Sequence, residues 1–182
     1  MRTGASQIVA ALLATAAMTA IPLPVGAQAR AAHPGWSRYV DSAAGMSVSY
    51  PAGIFSEEDG EPHEGRGQRL RTADGRATLE VYALRNPGRE TPRSYLRKFL
   101  AIDRHTIEYT RVTERFFAIS GTHDNQVFYS RCNFFRGSEP TISCIYLYYP
   151  RAETHAWDGI VTRISRSLNA GPAPREGGEE DD

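Results

Sequence analysis

Residues 129–150 read YSRCNFFRGSEPTISCIYLYYP. Aromatic and β-branched residues fill both ends, and the polar stretch Arg136-Gly137-Ser138-Glu139-Pro140 separates them. Such residues fit a pleated, half-buried surface, and a Gly- and Pro-bearing spacer of this length fits a hairpin loop. With 136–140 as the loop, Phe135 faces Thr141, and the same register sets Cys132 directly opposite Cys144. Directly opposed residues in a non-hydrogen-bonded antiparallel pair have Cα atoms about 4.5 Å apart, a spacing that a disulfide spans. A catalytic dithiol favours Cys-x-x-Cys at a helix N-terminus, where the dipole lowers a thiol pKa. A zinc site needs two further close ligands, and no histidine stands at a suitable spacing. The cysteines are therefore expected as a structural disulfide, and neither a metal nor a cofactor is expected. On the same register Phe128, Tyr146 and Tyr148 share the cysteine face, and Tyr129, Leu147 and Tyr149 share the other. One set is expected as core beneath a helix; the other, if uncovered, would be an aromatic binding platform.

Upstream, WSRYVDSAAGMSVSYP (36–51) reads as two short strands around Ser42-Ala43-Ala44-Gly45, with Met46, Val48 and Tyr50 alternating against Ser47 and Ser49. A polar loop, SEEDGEPHEGRG (56–67), follows. In GQRLRTADGRATLEVYAL (67–84), Asp74-Gly75 suits a two-residue type I′ turn, which needs positive φ at both positions. Pairing outward from it sets Leu70 against Leu79 and Arg69 against Glu80, one apolar and one ion-paired contact. A helix is expected from Thr91 to about Arg104, with Thr91 as N-cap, Pro92 in the first turn, and Tyr95, Leu96, Phe99, Leu100 and Ile102 on its apolar face. Strands follow near 106–113 and 115–120. A last helix over about 153–168 carries Trp157, Ile160, Val161, Ile164 and Leu168 on one stripe. Helices this amphipathic must cover a sheet, so the expectation is an α+β domain: an antiparallel sheet of about six to eight strands sandwiched by two main helices.

The glycine before a strand ending in Tyr-Pro (Gly45-Met46-Ser47-Val48-Ser49-Tyr50-Pro51), the polar loop, the Asp74-Gly75 hairpin and the central helix resemble the PsbP-like fold family. The resemblance runs over roughly residues 36–168 as an order of elements. It implies an antiparallel sheet between helices and a binding or assembly role, with no shared catalytic residues to carry over.

The N-terminus has the form of a signal peptide. Arg2 precedes an apolar, alanine-rich stretch from about Ile8 to Val25, and Ala27-Gln28-Ala29 offers the small-x-small pattern of a cleavage site. Pro22 and Pro24 break the run, so residues 1–29 are expected to be removed rather than to anchor the chain. No second run approaches membrane-spanning length. Residues 170–182, AGPAPREGGEEDD, are expected as a disordered acidic tail, leaving a single domain over 30–169. The whole chain balances 21 basic against 21 acidic residues; without Arg2, Arg175 and the five tail acids, 19 face 16. That excess is too small to point to nucleic acid. The chain is expected in the periplasm or secreted.

Three further constellations carry chemistry. Ser120, His123 and Asp124 have the residue types of a hydrolytic triad, but triad members normally converge from separate loops, and no Gly-x-Ser-x-Gly elbow exposes a serine. Gly121, Asp124 and Asn125 read instead as turn formers. Glu57, Glu58, Asp59, Glu61, His63 and Glu64 could supply oxygens for weak cation binding, although their spacing is not that of an EF-hand. Arg93, Arg97 and Arg104 fall within about 40° on a helix, a stripe able to meet an anionic partner. The leading expectation is an exported, non-catalytic binding or assembly module that meets a protein or other envelope component. The alternatives are a hydrolase using His123 or His105 with a nearby carboxylate, and a cation-binding protein acting through residues 57–64.

Overall fold

The computed structural model describes residues 35–99 and 107–171. The expected signal peptide, Arg104, His105 and the acidic stretch beyond Gly171 lie outside the described residues. In chain order come β1 (Trp36–Asp41), β2 (Met46–Pro51), β3 (Phe55–Glu58), β4 (Arg66–Thr72), β5 (Thr78–Arg85), α1 (Pro92–Phe99), β6 (Ile107–Val112), β7 (Phe116–His123), β8 (Gln126–Phe135) and β9 (Thr141–Pro150). A single 3-10 turn, Arg151–Glu153, leads into α2 (Thr154–Ser167) and a two-residue β10 (Asn169–Ala170). Seven strands form one antiparallel sheet in the order β3-β4-β5-β9-β8-β7-β6, and β1, β2 and β10 form a second, smaller one.

Alternation along the strands decides what each face covers. Leu79, Val81, Ile145, Leu147 and Tyr149 point one way and form a core with Met46 and Val48 of the small sheet and Trp157, Val161 and Ile164 of α2. Tyr82, Phe117, Ile119, Phe128, Cys132, Phe134, Ile142 and Cys144 point the other way, where Leu96 of α1 packs on them. The domain is thus an α+β sandwich with the large sheet between two helices. Tyr129, Leu147 and Tyr149 are the set that goes beneath α2; Phe128, Tyr146 and Tyr148 lie on the cysteine face as a chain of ring contacts 5.1–6.4 Å between centroids.

The hairpin registers match the expected ones. Cys132 lies opposite Cys144 and Phe135 opposite Thr141, and the cysteines form a disulfide with Cα atoms 4.1 Å apart. Leu70 lies opposite Leu79 and Arg69 opposite Glu80. At the start of α1, the Ser94 amide donates to Thr91 Oγ1 at 3.1 Å and the Thr91 amide donates to Ser94 Oγ at 2.9 Å, a reciprocal cap with serine in the usual glutamate position.

Several local readings differ. The polar loop expected over 56–67 is shorter, because Glu57 and Glu58 belong to edge strand β3, paired with β4 across a register shift. Ala170 pairs with Met46 in β10, and the Gly171 amide donates to Gly45 O at 3.2 Å, so the ordered chain runs past 169. The Asp74-Gly75 turn has the expected centre but not the expected type. Thr72 and Ala77 close the hairpin around a four-residue loop, and only Gly75 (φ 67°) is left-handed. Asp74 instead uses its carboxylate, which accepts from Thr72 Oγ1 at 2.6 Å, from the Arg76 amide at 3.1 Å and from Arg76 Nε at 2.7 Å. The two-residue turn with positive φ at both positions occurs at Asp124 (47°) and Asn125 (63°), between β7 and β8.

Those bonds, led by the one from Thr72, lower the Asp74 pKa to about 2. A depressed folded value means that the loop's contribution is complete above the unfolded value of about 3.9 and is lost as pH falls through about 2. A carboxyl-carbon NMR titration is expected to show Asp74 with a midpoint near 2, and Thr72→Val is expected to move it upward toward the unfolded value. A midpoint near 4 in the unmodified protein would contradict the hydrogen-bonded loop.

Candidate functional site

A cleft of about 620 Å³ opens where β5 ends and β4 begins. One wall is the β1–β2 turn, with Asp41, Ala43 and Ala44; another is the cysteine-hairpin loop, Ser138 to Thr141; Arg66, Arg85, Pro87 and Arg89 complete it. Asp41 is buried at the last position of β1. Its carboxylate accepts from Arg66 Nε at 3.1 Å, from Arg66 Nη2 at 2.5 Å and from the Ala44 amide at 3.1 Å. This two-pronged pair raises the Arg66 pKa, chiefly through the hydrogen bonds to Asp41, and ties the small sheet to the large one. Thr141 Oγ1 adds a second tie by donating to Ala44 O at 3.3 Å.

The loop carrying Arg89 is fixed by one buried asparagine. The Asn86 amide donates to Pro140 O at 2.8 Å, its Nδ2 donates to Glu90 O at 3.0 Å, and its Oδ1 accepts from the Glu90 amide at 2.8 Å. Its carbonyl accepts from the Arg89 amide at 2.9 Å. Arg89 is left-handed, at φ 49°. A residue with a Cβ adopts that conformation at a cost, and it persists where surrounding bonds determine it, as these do. Arg89 also lines a neighbouring cavity of about 230 Å³ with Arg136, whose Nη2 donates to Glu114 O at 3.0 Å. Arg85 and Arg89 are exposed and have no ion-pair partner among the described residues. Glu139 is the cleft's other carboxylate and is exposed. Two arginines held on ordered backbone, beside a third already engaged by Asp41, make a place for an anion with more than one oxygen.

The acidic residues 57–64 run from the end of edge strand β3 into the β3–β4 loop and engage separate partners rather than gathering. Glu57 pairs with Arg71 at 2.8 Å, Glu58 accepts from Gln68 at 2.8 Å, and Asp59 meets Arg69 at 3.0 Å. Glu64 accepts from the Tyr95 hydroxyl at 2.9 Å, and Glu61 is exposed. His63 Nδ1 lies 2.5 Å from Glu80 Oε1, and the His63 amide donates to Glu80 Oε2 at 3.2 Å, which covers a buried carboxylate. Among the described residues no three His, Cys, Asp or Glu side chains come together as a metal site. Burial raises the pKa of Tyr82, Tyr95 and Tyr146 on this face, and Glu64 adds to the effect at Tyr95. These hydroxyls remain protonated donors.

The triad residue types do not converge. Ser120 and His123 stand three positions apart on β7, and therefore on opposite faces, while His123 Nε2 meets the exposed Asp124 at 3.1 Å. None of the described histidines, His63, His123 and His155, lines the arginine cleft. Arg93 and Arg97 are exposed on α1.

The cleft residues escape a reading by motif because Asp41 and Arg66 meet across 25 positions. A signal is nevertheless present: Arg85 and Arg89 bracket Asn86-Pro87-Gly88, a turn-forming triplet directly after a buried strand.

No family model matches the sequence, and no curated protein matches it at a significant level. In shape, the chain is similar to the solution structure of cyanobacterial PsbP (CyanoP) from Synechocystis sp. PCC 6803, at 13% identity and a TM-score of 0.57. The match covers 81% of this chain and 99% of that one. The fold is PsbP-like. Among the described residues no helix is long and apolar enough to cross a membrane.

Proposed function

We propose that this chain is an exported, non-catalytic binding or assembly module whose arginine cleft receives an acidic group of a protein partner in the cell envelope. The observation that carries the reading is the pair Arg85 and Arg89: two guanidiniums without ion-pair partners among the described residues, presented by the last residue of β5 and by the loop that Asn86 fixes. A guanidinium fork matches carboxylate geometry, and preformed backbone reduces the ordering cost of binding. Arg93 and Arg97, four and eight residues beyond Arg89, add exposed positive charge on α1. The buried disulfide supports export, because such bonds persist in oxidising compartments. The PsbP-like fold supports an assembly role by analogy only.

The test is photocrosslinking in the native envelope, since Lys98 is the chain's single lysine and amine reagents have little to attack. Benzoylphenylalanine at Ala43, on the cleft wall, is expected to give discrete adducts with an envelope protein. Their yield should fall at least about tenfold in Arg85→Ala/Arg89→Ala, the loss that corresponds to about 1.4 kcal/mol. Adducts of unchanged yield in the arginine variant, or none in either protein, would count against the cleft as the contact.

A further inference from the structure

The same cleft lies beside the point where the described chain leaves the fold. The Gly171 amide donates to Gly45 O at 3.2 Å, and Gly45 directly follows the cleft-wall residues Ala43 and Ala44. A Cβ built on Gly171 would lie 3.7 Å from Phe135 Cδ2, so the exit is held between the β1–β2 turn and the cysteine hairpin. The sequence beyond reads PAPREGGEEDD and places five carboxylates within residues 176–182. A chain reaches at most about 3.3–3.6 Å per residue, so five residues beyond Gly171 can span roughly 17 Å. That is ample to return over a wall that begins one residue away.

We propose that residues 176–182 dock in the arginine cleft and compete there with the acidic partner group. The inference rests on the reading of the cleft given above and adds its regulation. Charge supports it: Arg85 and Arg89 await carboxylates, Arg66 is already engaged by Asp41, and only Glu139 opposes from the cleft wall. Tethering supports it as well, since a short linker holds a bound segment at an effective concentration on the order of millimolar. Contacts that are individually weak at an exposed surface then suffice to occupy the site, and a partner must outcompete them. Added salt weakens the self-contact and the partner contact alike.

The experiment compares the mature chain with a variant neutralised in place by Glu176→Gln, Glu179→Gln, Glu180→Gln, Asp181→Asn and Asp182→Asn. The probe is a fluorescein-labelled peptide EGGEEDD, followed by polarisation at low salt. The neutralised chain is expected to bind the peptide about tenfold more tightly than the unmodified one, and Arg85→Ala/Arg89→Ala in the neutralised background is expected to abolish that binding. Equal affinity for the two chains overturns the self-docking while leaving the cleft as an acid-binding site. Failure of the neutralised chain to bind at all overturns both.

Discussion

Replacing Trp157 with alanine is expected to cost about 3–5 kcal/mol of folding stability, the usual range for truncating a buried aromatic. The indole is 6% exposed and lies between the two layers. It stacks on Tyr149 of β9, centroids 5.2 Å apart and planes 20° from parallel, and meets Phe55 of β3 at 5.7 Å. Its N–H donates to Glu153 Oε2 at 3.3 Å, and Glu153 in turn pairs with Arg76 of the neighbouring hairpin. Both ring partners stand on strands pinned by the sheet, so the void left by truncation cannot close by a local shift. For a domain of this size each kcal/mol moves the melting temperature by about 2–4 °C, which makes the expected fall on the order of 10 °C. Thermal unfolding followed by circular dichroism measures it. Trp157→Phe retains most of the ring and should lose less than half as much; if the two variants melt together, the cost lies in the hydrogen bond and not in the packing. A functional consequence follows from the architecture. Ser167 of α2 accepts from the Ser49 amide at 2.8 Å and donates to Ser49 O at 3.2 Å, which fastens the helix to β2, the strand that follows the cleft-wall turn. Loosening α2 should therefore weaken acidic-peptide binding even below the melting transition.

Features set by neighbours in sequence were legible without coordinates. The Cys132–Cys144 and Leu70–Leu79 registers follow from symmetric pairing about a loop, and the α2 stripe follows from helical spacing. The turn at Asp74 shows where local reasoning stops. Asp-Gly is compatible with a type I′ turn, but Thr72 and Arg76 offer Asp74 hydrogen bonds that a two-residue turn would not use, and the loop widens to make them. Edge strand β3 was hidden because its last two residues, Glu57 and Glu58, are charged and satisfied by Arg71 and Gln68 across the pair, so no apolar alternation marks it. The third strand of the small sheet was not legible, because β10 is two residues long and meets β2 more than 100 positions away. The cleft was the least legible element, since it is assembled from four loops and strand ends whose proximity only the completed fold supplies.

Breaking the disulfide, by reduction or by Cys132→Ala with Cys144→Ala, is expected to lower the melting temperature by roughly 6–12 °C. Closing a loop of about this length restricts the unfolded chain by about 3 kcal/mol, converted at the same 2–4 °C per kcal/mol. Both sulfurs are fully buried. Cys132 lies beside Phe117 on β7, and Cys144 beside Tyr82 on β5, so the bond joins adjacent central strands within the core that α1 covers. Two terms add in the alanine variant: it regains unfolded-state freedom, and it leaves a small apolar void that deepens the loss. The hairpin itself works against the effect, because β8 and β9 keep their register through the other opposed pairs, such as Phe134 with Ile142. The folded state should therefore survive reduction with its secondary structure intact and a lower melting point. Thiol titration of the native protein should find no reactive cysteine before unfolding. Two alkylatable thiols in the native protein would remove both the stabilising bond and the argument that it formed in an oxidising compartment. The consequence for binding is separable from stability. The hairpin loop 136–140 begins four residues beyond Cys132 and supplies Ser138, Glu139 and Pro140 to the cleft, so freeing the strands at its base should let that wall move. At a temperature where both proteins remain folded, the double-alanine variant is expected to bind the acidic peptide several-fold more weakly. Unchanged affinity would mean that Asn86, through its bond to Pro140 O, holds the loop without help from the disulfide.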